Sequence, residues 1–336
     1  MRAGRAASIA CVLLAASAGV LPACAGVQSS LDPSGDQARA IDVIWQVMLW
    51  TCTILYVAVL AALVIALLRR ESTAADDHPA ERRTTALLVV WTGFIAVVLV
   101  GLTAASYAVD RRLLVRDPDA LHVRVTAKQW WWQVEYLDPD PSKQFITANE
   151  LHLPVNRMTR IELAAGDVIH SLWIPNLNGK SDLIPGRKTD LALTPRHVGR
   201  FRGQCAEFCG LQHAHMALDV QVDSASDFAA WKQRQMQPAM FPTQPDARRG
   251  AGLFQSNACV MCHAISGTEA NGRTGPDLTH FASRRTIAAG TRPLTRGDLA
   301  AWISDPQRLK PGNNMPAVDL EPDELNALVA YLMTLQ

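Results

Sequence analysis

Two short stretches hold the residue types that could do chemistry. The first is Cys205-Ala-Glu-Phe-Cys209-Gly-Leu-Gln-His213-Ala-His-Met216, with His170 upstream. Two thiols four residues apart, an imidazole four further on and a thioether three beyond that form a soft sulfur and nitrogen donor set, the kind that selects copper over hard cations. One loop can therefore wrap a metal centre. The second stretch is Cys259-Val-Met-Cys262-His263. Its spacing lets two thiols bond the vinyl groups of a haem while the next residue offers an imidazole to the iron. Both centres would move single electrons. A disulfide between Cys205 and Cys209 is the rival reading, and it leaves the spacing of His170, His213 and Met216 without a reason.

These residues need two kinds of scaffold. From Leu121 the apolar pattern has period two. His122-Val-Arg-Val-Thr-Ala, Trp130-Trp131-Trp132-Gln-Val-Glu-Tyr, Leu151-His-Leu-Pro, Met158-Thr-Arg-Ile-Glu-Leu and Val168-Ile-His-Ser-Leu-Trp read as strands. Gly166-Asp167, Asn178-Gly179 and Pro185-Gly186 supply turns, and Ala217-Leu-Asp-Val-Gln-Val returns beside the first cluster. A small all-β Greek-key barrel of the cupredoxin kind is expected over residues 118–223. Gln233 to Pro245 has neither a steady period nor a buried-strand pattern, and residues 224–244 are expected to be a linker. Asp246 to Phe254 and the amphipathic run from Pro322 read as helices on either side of the second cluster. Residues 245–336 fit a small all-α cytochrome c domain.

The N-terminus explains where such domains would be held. Arg2 and Arg5 precede Ile9-Ala-Cys-Val-Leu-Leu-Ala-Ala, and Leu21-Pro-Ala-Cys24 resembles a bacterial lipobox. A signal peptide over residues 1–23 is expected, with Cys24 lipidated as the first mature residue and residues 24–40 as an N-terminal segment. Apolar runs over residues 41–68 and 84–109 are each long enough for a ~30 Å hydrocarbon core. Arg69, Arg70, Arg82 and Arg83 favour a cytoplasmic loop at 69–83, which leaves everything after the second run outside the cytoplasm. With 336 residues and a formal charge of +1, the chain has room for two domains and gives no sign of nucleic-acid binding. Lys and Arg nearly balance Asp and Glu within both domains, so no patch for steering a donor is evident.

Taken together, the order of these segments resembles subunit II of a haem-copper cytochrome c oxidase with a cytochrome c domain fused to its C-terminus, the caa type. The resemblance covers nearly the whole chain. It implies a binuclear copper centre, CuA, in which His170 and His213 bind one copper each, Cys205 and Cys209 bridge the two, and Met216 and the Glu207 carbonyl complete the shell. It also implies that the Glu207 side chain contributes to a magnesium site shared with subunit I. Trp130 matches the residue at the family's electron-input face, while a buried sheet aromatic is the alternative for it. In the haem domain, Asn314-Met315-Pro316 resembles the loop that brings a methionine to the iron opposite His263, Cys259 and Cys262 carry the covalent bonds, and the Pro276 carbonyl would accept the ring N–H of His263. Met333 falls on the apolar stripe of the last helix and is assigned to the core. Asp167 is a candidate partner for His170.

One departure from the family pattern is Leu88, where many members carry an acidic residue near a proton path. His215 stands between proposed ligands at a position that is not one. His78, His122, His152, His197 and His280 have no companions at ligand spacing, and Cys52 reads as a small apolar helix residue. The implied function is that of an electron-input subunit in the bacterial inner membrane. It would receive electrons from a donor cytochrome c or cytochrome complex and pass them to subunit I, where oxygen is reduced, beside subunit III and a possible subunit IV. The two apolar runs hold no histidine for an oxygen site, so that site belongs to a partner. A membrane-tethered copper and haem carrier, or a copper subunit of a nitric oxide reductase type, is the alternative.

Overall fold

The computed structural model describes residues 25–68, 78–113 and 117–336. The signal peptide, Cys24 and most of the loop between the two apolar runs lie outside the described residues. Helix α1 (Asp36–Leu68) and helix α2 (His78–Leu113) extend past the expected runs at their N-terminal ends, and α2 also at its C-terminal end. No charged residue occurs from Val43 to Leu68 or from Thr84 to Val109. Large apolar side chains such as Trp50, Leu68, Leu88 and Val97 stand exposed along both helices. Each helix is long and apolar enough to cross a membrane.

The β domain is built from β1 (Leu121–Lys128), β2 (Trp131–Leu137), β3 (Phe145–Ala148), β4 (Glu150–Pro154), β5 (Thr159–Ala165), β6 (His170–Trp173), β7 (Ser181–Leu183), β8 (Thr189–Leu193), β9 (Gly199–Cys205) and β10 (Ala217–Asp223). One sheet has the order β3-β2-β1-β5-β8 and the other β4-β10-β9-β6-β7. Pairing is antiparallel except for β1 with β5 and β4 with β10. The register sets Val125 opposite Val134 on one side and Leu163 on the other. Period-two alternation turns Val123, Val125 and Ala127 of β1 inward, where they meet Leu151, Leu172, Val220 and Val222 of the second sheet. The result is a cupredoxin-like sandwich.

The N-terminal segment and the expected linker are both tied to this body. Residues 26–38 cross the sandwich: Ser34 N donates to Asn176 O, Arg202 N donates to Val27 O, and the buried Asn176 amide donates to Gly26 O and Asp32 O. The expected linker at 224–244 opens instead with helix α3 (Ala225–Gln235). Ser224 caps it, and its Phe228 and Trp231 enter the β core, with Trp231 stacked on His152 at 4.1 Å. The sequence around Phe228 and Trp231 has the spacing of one helical face, which the surrounding Gln and Pro obscured.

The C-terminal domain comprises α4 (Pro245–Ser256), the short turn α5 (Cys259–Cys262), a two-stranded ribbon of β11 (Thr286–Ile287) and β12 (Arg292–Pro293), α6 (Arg296–Ser304), α7 (Pro306–Leu309) and α8 (Pro322–Leu332). Helices α4 and α8 cross at Gly250, where a Cβ would come within 2.0 Å of the Ala327 carbonyl oxygen, so only glycine permits the approach. Phe254 and Tyr331 meet edge to face beside the crossing. Pro322 at the first turn and the reciprocal pairing of Glu321 with Glu324 start α8.

Candidate functional site

Sandwich topology delivers the first cluster to one end of the second sheet. His170 opens β6, Cys205 closes the neighbouring β9, and the chain then turns through Cys209 and a short 3-10 turn at His213–His215 before Met216 leads into β10. His170, Cys205, Cys209 and Met216 are all buried. The ligand atoms of His170, Cys205 and Cys209 lie within 4.8 Å of one another. Cys205 Sγ is 3.8 Å from His170 Nδ1 and 3.7 Å from Cys209 Sγ, and Cys209 Sγ is 3.7 Å from His213 Nδ1 and 4.0 Å from Met216 Sδ. Both imidazoles therefore turn Nδ1 toward a thiol. The Glu207 carbonyl oxygen is 3.2 Å from Cys205 Sγ, while the residue itself is exposed. Cys205 and Cys209 are free thiols rather than a disulfide.

The electrostatics suit a cation at this point. Cys209 and His170 draw the Cys205 thiol well below its ordinary range, and the Cys205 charge together with burial pushes Cys209 up. One thiolate forms readily, and the second needs a positive charge between them. Burial would lower the His170 pKa, but hydrogen bonds to Cys205 and Asp167 outweigh it and the net direction is up. Asp167 Oδ1 lies 2.8 Å from His170 Nε2, so the ring can donate there and leave Nδ1 as a donor atom for metal. Asp167 also accepts from Gln129 N at 2.6 Å and Val168 N at 2.7 Å. These soft donors fit copper.

A cavity of about 590 Å³ separates this cluster from the second one. Cys259, Cys262, His263 and Met315 line it from the C-terminal domain, and Gln129, Trp130 and Asp167 from the β domain. The two cysteines end the single turn α5, three residues apart, and His263 follows as its cap. His263 Nδ1 is 2.7 Å from the Pro276 carbonyl, and burial lowers the ring's pKa despite that bond. A neutral ring with Nδ1–H donating leaves Nε2 free for iron. Gly275 keeps the other flank open, because a Cβ there would stand 2.8 Å from His263 Cε1. Met333 packs against the helical core, and Met315 N is held by Asn313 Oδ1. The residues present fit a haem.

Trp130 is 8% exposed and its Nε1 donates to the Cys209 carbonyl at 2.9 Å, so it is both a buried aromatic and a contact of the copper loop. Pattern reading missed the residues that join the two domains. Arg284 Nη2 donates to Thr147 Oγ1, Gln212 Nε2 to Pro311 O and Lys310 Nζ to Trp130 O. The Glu207 side chain is the one magnesium donor expected from this chain, and Leu88 is exposed on α2.

Comparison with known proteins follows the same division. A family model described as "Cytochrome C oxidase subunit II, periplasmic domain" matches residues 137–223, and one described as "Cytochrome c" matches residues 247–336. Cytochrome c oxidase subunit 2 of Alkalihalophilus pseudofirmus is 33% identical over 328 residues, 94% of each chain. The Bacillus subtilis protein of the same name is 35% identical over 254 residues, 72% of this chain and 70% of that one. The crystal structure of the periplasmic domain of cytochrome oxidase subunit II from Bradyrhizobium japonicum covers 36% of this chain and 96% of its own, at 32% identity and a TM-score of 0.34. The copper-type cluster, the haem motif and a relative that spans almost the whole length lead to one assignment: the chain belongs to the cytochrome c oxidase subunit II family, with a cytochrome c domain at its C-terminus.

Proposed function

We propose that this chain is the electron-input subunit of a terminal oxidase of the caa type, anchored in the bacterial inner membrane by α1 and α2 with both domains on the extracytoplasmic side. Haem c and a binuclear CuA, when bound, would supply one-electron transfer between a donor cytochrome and subunit I, the site of oxygen reduction to water. His263 and Met315 would hold the haem iron from opposite sides, with Cys259 and Cys262 as the covalent tethers. His170 and His213 would each hold one copper, Cys205 and Cys209 would bridge the pair, and Met216 and the Glu207 carbonyl would cap it. These soft thiolate, thioether and imidazole donors would supply a setting for one-electron copper chemistry. Trp130 would couple the two sites from between them. Glu207 would offer its carboxylate to a magnesium ion shared with subunit I. Subunit III, a possible subunit IV and a lipid on Cys24 complete the proposed assembly.

The observation that carries this reading is the shared wall. Asp167, the hydrogen-bond partner of His170, and Trp130, the partner of Cys209, both line the cavity that also holds His263. The test is to purify the complex in mild detergent and measure its reduced-minus-oxidised spectrum, metal content and oxygen uptake on one sample. A c-type band, haem a bands, about three coppers per complex and cyanide-sensitive uptake are expected. A c-type band with about two coppers and no uptake would leave a tethered carrier in its place.

A further inference from the structure

Lys310 follows α7 in the loop that leads to Met315, and it is 2% exposed. Its Nζ donates to three main-chain carbonyls, those of Trp130, His215 and Ala288, each at 2.8 Å. Three acceptors match the three N–H groups of an ammonium. Two of them belong to the copper domain. Trp130 reaches Cys209 O through its indole, and His215 immediately precedes Met216. The third lies in the turn between β11 and β12, where the next carbonyl, Ala289 O, accepts from Ala217 N across the seam at 3.0 Å. Gln212 Nε2 donates to Pro311 O beside the lysine. Gly312, at φ +81°, lies against the Trp130 ring, and a Cβ there would be 3.5 Å from Cη2. Burial lowers the Lys310 pKa to about 7, so seating this side chain has a cost that its three acceptors must offset.

We propose that Lys310 is the positioning residue of the seam between the two domains: its three hydrogen bonds fix the loop bearing Met315 against Trp130 and the copper loop, and so hold the haem domain in one seat on the copper domain. This rests on the reading of the two centres given above. The lysine touches no proposed ligand side chain, and it acts through Trp130, whose indole donates to the Cys209 carbonyl, and through His215, the neighbour of Met216. Removing it would leave the Trp130 and His215 carbonyls without this donor at the seam, while Ala288 O keeps its bond from Thr291 Oγ1 and each domain keeps its own core.

The test uses the full-length chain in its detergent-solubilised complex, as wild type, Lys310→Met and Lys310→Gln. Two quantities are read: amide hydrogen exchange in the peptide containing Ala217, and the rate at which the copper absorption responds after rapid reduction of the haem. For Lys310→Met, exchange at Ala217 is expected to rise about tenfold and electron arrival to slow roughly 10- to 100-fold. Haem and copper spectra, metal content and exchange in β1 and α8 stay as in the wild type. Lys310→Gln keeps two N–H donors and falls between. Wild-type exchange and wild-type rate in Lys310→Met overturn the proposal. Loss of either chromophore in both variants overturns it too, since Lys310 would then be a folding residue rather than a positioning one. A wild-type complex without the c-type or copper spectrum defeats the functional reading instead, and the exchange comparison at Ala217 still decides the seating.

Discussion

The copper site and the haem site solve opposite construction problems. At the copper site the donors hang from strand ends that the sandwich already holds together. Cys205, Cys209 and Met216 belong to the same buried cluster as Val125 and Leu218, His170 is buried beside them, and their atoms stand in contact with one another. At the haem site the donors surround about 590 Å³, and core residues such as Phe254, Leu328 and Leu332 form part of the wall. A small ion is an addition to a finished core. A haem completes the core that surrounds it.

The largest test of that contrast is to prevent haem attachment with Cys259→Ala and Cys262→Ala together. Without a haem, core side chains such as Phe254, Leu328 and Leu332 would face an open cavity of about 590 Å³, and each large apolar side chain left uncovered costs about 1.5–3 kcal/mol, a sizeable share of a domain's stability. The C-terminal domain of the double variant is therefore expected to lose hydrogen-exchange protection throughout α4 and α8, while β1 and β10 keep theirs. Chelating copper from the wild type should leave protection in both domains nearly intact. Equal loss in the two domains after either treatment would break the comparison.

Next in size is Gly250→Val. Its Cβ would overlap the Ala327 carbonyl, so α4 and α8 must separate at their crossing, at a cost of about 3 kcal/mol or more. Thermal unfolding of the haem band should fall by several degrees, with the copper band's transition unchanged. A common shift of both transitions would mean that the two domains unfold as one unit.

How far the chain could be read follows from the same contrast. The period-two strands and the Cys, His and Met spacings are local patterns, so the sandwich and both clusters were visible in the residues. The Pro276 carbonyl stands 2.7 Å from the proposed iron ligand His263, as the resemblance implied, because the intervening loop is short. The N-terminal strap and α3 were not visible. Asn176 gathers residues 26 and 32 from about 150 positions away and leaves no periodic trace, while Trp231, whose partner is His152, shares a helical face with Phe228 alone among large apolar residues, too short a signal beside the Gln and Pro that follow. Lys310 is the extreme case. A lysine beside Pro-Gly reads as a solvated turn, and its burial is completed by Trp130 and His215 of the other domain.

Asp167→Asn gives a smaller effect confined to the copper side. The carboxylate accepts from Val168 N and His170 Nε2 through Oδ1 and from Gln129 N through Oδ2. An asparagine can keep one oxygen in place, but its amide nitrogen then faces the Gln129 N–H, donor against donor. Copper affinity measured by competition with a chelator is expected to fall about 10- to 100-fold, with the unfolding of the β domain little changed. Unchanged affinity would show that the strand ends alone orient His170.

Met216→Leu is the smallest change and sharpens the comparison most. Met216 is fully buried and its Sδ lies 4.0 Å from Cys209 Sγ, so it is a core residue and a proposed copper donor at once. Leucine keeps nearly the same volume and apolar character, which limits the stability cost to less than about 1.5 kcal/mol. The thioether is lost completely. If the copper site is an addition to a finished core, the variant should unfold at nearly the wild-type temperature, bind copper, and show a shifted copper absorption and reduction potential. Unfolding well below the wild type would mean that the sandwich depends on its metal donors for packing, and the distinction between the two sites would fail. A Met315→Leu variant measured beside it removes the corresponding donor from the haem side. There Met315 lines the cavity and is only half-buried, and the spectrum should respond far more than the stability.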